Sequence, residues 1–69
     1  MLNIENARKK EDVTLVDIGD LIGKNYRTVR EKIANGTFTT AEAFEIYETF
    51  FKARGYDFTY LFTPIKEPA

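Results

Sequence analysis

The sequence contains no cysteine, histidine or tryptophan, and no serine or glutamine. Without Cys there is neither a disulfide framework nor a thiolate metal site, an inventory that fits a reducing compartment. Without His, Ser and Cys, imidazole bases, His-ligated metals and the usual hydroxyl and thiol nucleophiles are excluded. Carboxylates, Lys, Tyr and Thr remain, but no pair of them stands out as placed for chemistry. The chain therefore reads as a non-enzyme with no cofactor and no metal. No apolar run approaches the roughly 18–20 residues that span a bilayer. The N-terminal stretch MLNIENARKKED lacks the apolar segment and small-residue cleavage site of a signal peptide. A soluble, cytoplasmic protein is expected.

Net charge is also scarce, at −1 with an isoelectric point near 5.3. A dedicated DNA-binding domain is often basic, with a pI above about 9. The charge is unevenly spread. Residues 1–38 carry seven Lys/Arg (Arg8, Lys9, Lys10, Lys24, Arg27, Arg30, Lys32) against six acids (Glu5, Glu11, Asp12, Asp17, Asp20, Glu31). Residues 39–69 carry three bases (Lys52, Arg54, Lys66) against five acids (Glu42, Glu45, Glu48, Asp57, Glu67). Any basic footprint is local and belongs to the first part of the chain.

What the chain does have is aromatics, six Phe and four Tyr in 69 residues. One domain of this size buries only about 60% of its unfolded surface, so its core is small. Aromatics that each bury roughly 150–250 Å² make such a core dense.

The organising stretch is LVDIGDLIGKNYRTVREKI, residues 15–33. Thr14 is placed to cap a helix, with Asp17 at its third position as a shorter stand-in for the Glu of a capping box. That helix runs to about Ile22, with Leu15, Ile18, Gly19 and Ile22 on one face and Asp17 and Asp20 pointing away. Gly19 costs roughly 1 kcal/mol against Ala in a helix interior, which makes sense if another helix crosses closely there. Gly23 supplies the positive φ that ends the helix. A third helix over about Asn25–Ala34, capped by Asn25, is held by Val29 and Ile33 and stopped by Asn35-Gly36. Arg27, Arg30 and Glu31 face away from the core, and Tyr26 lies on the border.

Around this unit, residues 3–10 read as a first helix capped by Asn3, with Ile4 and Ala7 inward and Glu5 at the positive end of its dipole. Arg8, Lys9 and Lys10 favour the negative end, and the same triplet is placed for phosphate contacts. Thr39 or Thr40 caps a fourth helix. On a wheel, Ala43, Phe44, Ile46, Tyr47, Phe50 and Phe51 cover an arc of about 160°, wider than a surface helix needs. Glu45, Glu48, Thr49 and Lys52 form its polar face. Phe44, Tyr47, Phe51 and Leu61 read as core, whereas Phe50, Tyr56, Phe58 and Tyr60 are equally suited to a dimer or partner interface. Arg54-Gly55 ends the fourth helix, and Asp57 caps a last turn, Phe58–Phe62. Pro64 and Pro68 mark residues 64–69 as an exposed tail beyond a domain of residues 1–63. No segment alternates with period two, so the fold class is all-α, with five helices and no sheet.

Gly19 in mid-helix, Gly23 at the turn four residues on, and Ile18, Ile22, Val29 and Ile33 at the crossing make a helix-turn-helix pattern. Here the sequence resembles the Cro/repressor (XRE-type) helix-turn-helix family of phage and bacterial regulators. GKNYRTVREKIANG is similar to that family's Gly-turn, recognition helix and terminal Asn-Gly. FTTAEAFEIYETFF and DFTYLF are similar to its fourth helix and closing turn, as in small phage repressors of Gram-positive hosts. The resemblance covers roughly residues 3–63. Two departures stand out: Lys24 where the family is usually apolar, and Ala34 as an extra residue before Asn35-Gly36.

The resemblance implies a compact lambda-repressor-like fold in a bacterial cell or phage-infected host. It implies contact with double-stranded operator DNA through Lys24, Asn25, Tyr26, Arg27, Thr28, Arg30, Glu31 and Lys32. Arg27 or Arg30 would hold guanine O6 and N7. Asn25 would cap the helix or read adenine, and Tyr26 would pack over the turn or touch a thymine methyl or phosphate. Glu31 would pair with a neighbouring base of its own chain or accept from cytosine N4. Lys24 and Lys32 would meet phosphate or solvent. Two functions follow: a Cro-like repressor binding its operator as a homodimer, or an antirepressor or modulator docking onto a phage repressor protein. With no sensor domain in view, control by abundance or partner binding is expected.

Overall fold

The computed structural model describes residues 1–66, so Pro68 lies outside the described residues. These residues form an all-α domain of five α-helices, with a Cα radius of gyration of 11.1 Å. Helices α1 (Ile4–Lys10), α2 (Leu15–Ile22), α3 (Tyr26–Asn35), α4 (Thr40–Ile46) and α5 (Phe58–Leu61) follow in order. None of them is long and apolar enough to cross a membrane.

Local chemistry fixes most boundaries. The Thr14 hydroxyl accepts the Asp17 N–H at 3.0 Å, and the Asp17 carboxylate accepts the Thr14 N–H at 3.0 Å, a complete capping box. Asn25 Oδ1 accepts the Thr28 N–H at 2.9 Å to start α3, and Thr39 with Glu42 builds a second box at α4. Asp57 caps α5 through the Tyr60 N–H. Gly23 (φ 71°) and Gly36 (φ 68°) close α2 and α3 in the left-handed conformation that only Gly adopts freely.

Three expectations are corrected. Asn3 has helical backbone angles and its side chain caps nothing; it donates instead to the Tyr60 carbonyl at 3.0 Å, tying α1 to α5. The segment after α5 does not trail free at its start. Asn3 N–H donates to the Thr63 carbonyl at 2.9 Å and Ile65 N–H to the Met1 carbonyl at 2.8 Å, with an isolated antiparallel bridge between Leu2 and Pro64. A proline fits that position because its missing N–H faces away from the pairing. Third, the fourth helix is not one regular helix. It opens into a π turn over Tyr47–Phe51 and tightens into a 3₁₀ turn over Lys52–Arg54 before Gly55.

The core consists of Leu2, Ile4, Ala7, Val13, Ile18, Val29, Ile33, Ala43, Ile46, Phe51 and Leu61. Tyr47 is half-buried against it. Phe44, expected in the core, is 54% exposed. Phe44 lies at one end of the apolar arc, in the regular part of α4, whereas Phe51, at the end of the π turn, is fully buried as expected. Aromatic rings pack edge-to-face around this core, Tyr47 on Phe58 at 5.5 Å, Phe38 on Phe62 at 5.7 Å and Phe51 on Tyr56 at 5.5 Å. Each such pair adds about 0.5–1.5 kcal/mol beyond its burial.

Candidate nucleic-acid interface

Helix α3 is anchored by Val29 and Ile33, which are 0% and 1% exposed, and presents the opposite side to solvent. Three features hold it. The Gly23-Lys24-Asn25 turn joins it to α2, with the Lys24 N–H donating to the Gly19 carbonyl at 2.9 Å. The Leu2 N–H donates to the Ile33 carbonyl at 3.0 Å, so the N-terminal residues satisfy one of the carbonyls left open at the C-terminal end of α3. The third is a brace to α4: Lys32 Nζ lies 3.0 Å from Glu42 Oε1, with both side chains more than four-fifths buried.

Gly19 serves both the turn and the close approach of α3 that its sequence position suggests, the turn setting the tighter limit. A Cβ there would collide with the Lys24 carbonyl oxygen; Val29 Cγ2, on α3, stands farther off at 3.5 Å.

The exposed side of α3 carries Arg27, Arg30 and Glu31, which with Ala34 and Asn35 line one shallow groove. Lys24, Asn25 and Tyr26 are exposed at its N-terminal end, and Thr28 is half-buried. Asn25 is committed to the cap, which decides its side-chain role in the free protein. Tyr26 is 49% exposed and borders a second open groove with Val16, Arg8 and Lys9. Lys32 leaves this surface: it is turned onto Glu42 and the Thr37 carbonyl, and is withdrawn as a groove-facing residue.

The ion pairs divide the cations into two sets. Arg8 and Lys9 hold Glu5 at 2.6 and 3.5 Å, Lys32 holds Glu42, Lys52 holds Glu48, and Arg54 lies 3.5 Å from Glu11. Among the described residues, Lys10, Lys24, Arg27, Arg30 and Lys66 have no carboxylate within 4.0 Å. Three of these five stand on or beside the exposed side of α3. Of the triplet expected at phosphates, Arg8 and Lys9 pair with Glu5, and among the described residues Lys10 has no carboxylate within 4.0 Å. Glu31, expected to pair with a neighbouring base, also has no ion-pair partner among the described residues.

Among the described residues, two titratable groups are clearly shifted, Glu42 and Tyr56. The Glu42 carboxyl is held below its ordinary value of 4.5, first by the Thr39 N–H it accepts at 3.0 Å and then by Lys32, against an opposing contribution from burial. The Tyr56 hydroxyl is pushed above its ordinary 10.0 by burial and by the Glu11 carboxylate, to which it donates at 2.9 Å.

Of the residues suited to an interface, Phe50, Tyr56 and Phe58 are half-buried, and Tyr60 is 45% exposed. Phe44 is the exposed aromatic that the sequence assigned to the core. Comparison with protein-family models, curated proteins and solved structures finds no match for this chain.

Proposed function

We propose that this chain is a DNA-binding transcriptional regulator of the helix-turn-helix type, a Cro-like repressor that inserts α3 into the major groove of operator DNA. One observation carries the reading. Among the described residues, Arg27 and Arg30 on the solvent side of a braced α3, and Lys24 in the turn before it, have no carboxylate within 4.0 Å, whereas Lys32 of the same helix and four cations elsewhere are paired. Free guanidinium forks suit the O6 and N7 acceptors of guanine, and free ammonium groups suit phosphate. So few phosphate contacts per chain bind weakly at physiological salt, so a homodimer on a two-fold site is part of the proposal.

A second reading, an antirepressor or modulator that binds a phage repressor protein, is favoured by the net charge of −1 and by the exposed Phe44 and Tyr60. Binding to phage promoter DNA, measured with the purified protein alone and again with a phage lysogeny repressor, separates the two. Steeply salt-dependent binding by the protein alone supports the operator reading. No DNA binding alone, with a stable complex formed with the repressor, overturns it in favour of the modulator.

A further inference from the structure

Residues 1–3 lie between the end of α3 and the segment that follows α5. An extended chain offers hydrogen bonds to both of its sides, and here both sides are used. Towards α3, the Leu2 N–H donates to the Ile33 carbonyl at 3.0 Å. On the other side, the Asn3 N–H donates to the Thr63 carbonyl at 2.9 Å, and the Ile65 N–H donates to the Met1 carbonyl at 2.8 Å. The Leu2 side chain is 5% exposed and packs beside Gly36, the residue that closes α3. Leu2 thus meets the last turn of α3 with its backbone and its side chain together. Within that turn the Lys32 carbonyl is satisfied locally, by the N–H groups of Gly36 and Thr37. The Ile33 carbonyl, one of the four that a helix end leaves open, is satisfied from outside the helix by Leu2. Leu2 is itself backed by an isolated bridge to Pro64, a pairing of two hydrogen bonds and not a sheet. So short a pairing opens at a lower free energy than a packed core.

We infer that residues 63–65 are a strap that controls the C-terminal turn of α3 through residues 1–3. With the strap paired, Leu2 holds the Ile33 carbonyl, and the end of the α3 groove formed by Ala34 and Asn35 is fixed. With the strap released, that turn frays while the Gly19–Lys24 closure at the other end of α3 stays intact. The strap is a conformational switch for the exposed side of α3, and it stands independently of what that side binds.

The test is residue-resolved amide hydrogen exchange of wild type, Ile65→Pro and Ile65→Ala, with urea unfolding to give the global stability of each. Ile65→Pro removes the N–H that meets Met1, whereas Ile65→Ala keeps that N–H and loses only the side chain. In wild type, the amides of Leu2, Asn3, Ile65, Gly36 and Thr37 are expected to share one opening, easier than global unfolding. In Ile65→Pro, those of Leu2, Asn3, Gly36 and Thr37 should exchange roughly 2- to 10-fold faster, as the loss of one hydrogen bond implies. Val29 and Ile18 should change only with global stability, and Ile65→Ala should leave Gly36 and Thr37 as they are in wild type. Faster exchange at Leu2 and Asn3 with Gly36 and Thr37 unchanged would overturn the inference, because the strap would then open without α3. An equal rise at Val29 and Ile18, or the same rise in Ile65→Ala, would overturn it too, as a general loss of packing. Should Ile65→Pro fail to fold, the wild-type pattern decides: separate openings for the Leu2–Asn3 and Gly36–Thr37 amides contradict the strap.

Discussion

Gly19 and Lys24 are locked together from both sides of the Lys24 residue. The Lys24 N–H donates to the Gly19 carbonyl at 2.9 Å, and the Lys24 carbonyl oxygen fills the space where a side chain on Gly19 would begin. The turn before α3 therefore closes only over a residue with no Cβ. Val29 Cγ2 at 3.5 Å from the same point shows that α3 is seated against it as well.

Gly19→Ala is expected to lower stability by about 1–3 kcal/mol, the usual range for forcing a methyl into a filled site. Gly23→Ala meets nothing within 4 Å and costs only its left-handed backbone. Urea unfolding of both variants checks this, and DNA affinity should fall more in Gly19→Ala, because the turn that carries α3 must open. Equal effects would show that the close approach at Gly19 does not position α3.

Phe44 and Phe51 should behave in opposite ways, although both are phenylalanines on the apolar arc of one helical segment. Phe51 is fully buried, and Phe51→Ala is expected to cost about 3–5 kcal/mol. Phe44→Ala should stay within about 0.5 kcal/mol of wild type, as exposed substitutions do. Unfolding midpoints decide it. A large loss in Phe44→Ala would mean that the ring is covered in solution.

The Glu42 carboxylate, held first by the Thr39 N–H and then by Lys32, makes stability depend on acid. Glu42 titrates below 4.5 in the folded chain, so its contribution is present above that pH and is lost as the pH falls through the folded-state value. Unfolding midpoints of wild type and Glu42→Gln, measured from pH 7 downward, should differ most near neutrality and converge as the pH falls below 4.5 and through the folded-state value. A gap that does not change with pH would exclude the carboxylate as its source.

Tyr56 gives the corresponding dependence on alkali. With its hydroxyl pushed above 10.0, the folded chain keeps that proton longer than the unfolded chain, so the contribution is full at neutral pH and lost as pH rises through the folded-state value. Phenolate absorbance should show one tyrosine titrating late, and Tyr56→Phe should remove it. Loss of the late step in Tyr26→Phe instead would reassign it.

Much of this fold could be read from short-range chemistry. Thr14, Asn25, Thr39 and Asp57 cap helices through bonds that span three residues, and Gly23, Gly36 and Gly55 supply positive φ wherever their helices stop. The features that escaped reading depend on distant partners. Asn3 looks like a cap until the Tyr60 carbonyl competes for its amide, and Pro64 looks like a free tail until Leu2 pairs with it. Phe44 looks buried because it falls within the apolar arc of the wheel, but it stands at the end of that arc and no neighbouring element covers it fully. At the α3 surface, Arg27, Arg30 and Glu31 were legible from periodicity. The removal of Lys32 was not, because its partner Glu42 lies ten residues on.

The salt dependence of duplex DNA binding tests the uncommitted charge of α3 most directly. For wild type, log Kobs against log[salt] should fall with a slope near −0.9 per phosphate neutralised, and Lys24→Ala should make that slope shallower by about 1. Lys52→Ala, whose ammonium already holds Glu48, should leave the slope as it is. Arg27→Ala combined with Arg30→Ala should abolish sequence preference while leaving the unfolding midpoint near wild type. Binding that is flat in salt, or a slope that Lys52→Ala changes and Lys24→Ala does not, would contradict the assignment of α3 as the DNA-facing surface.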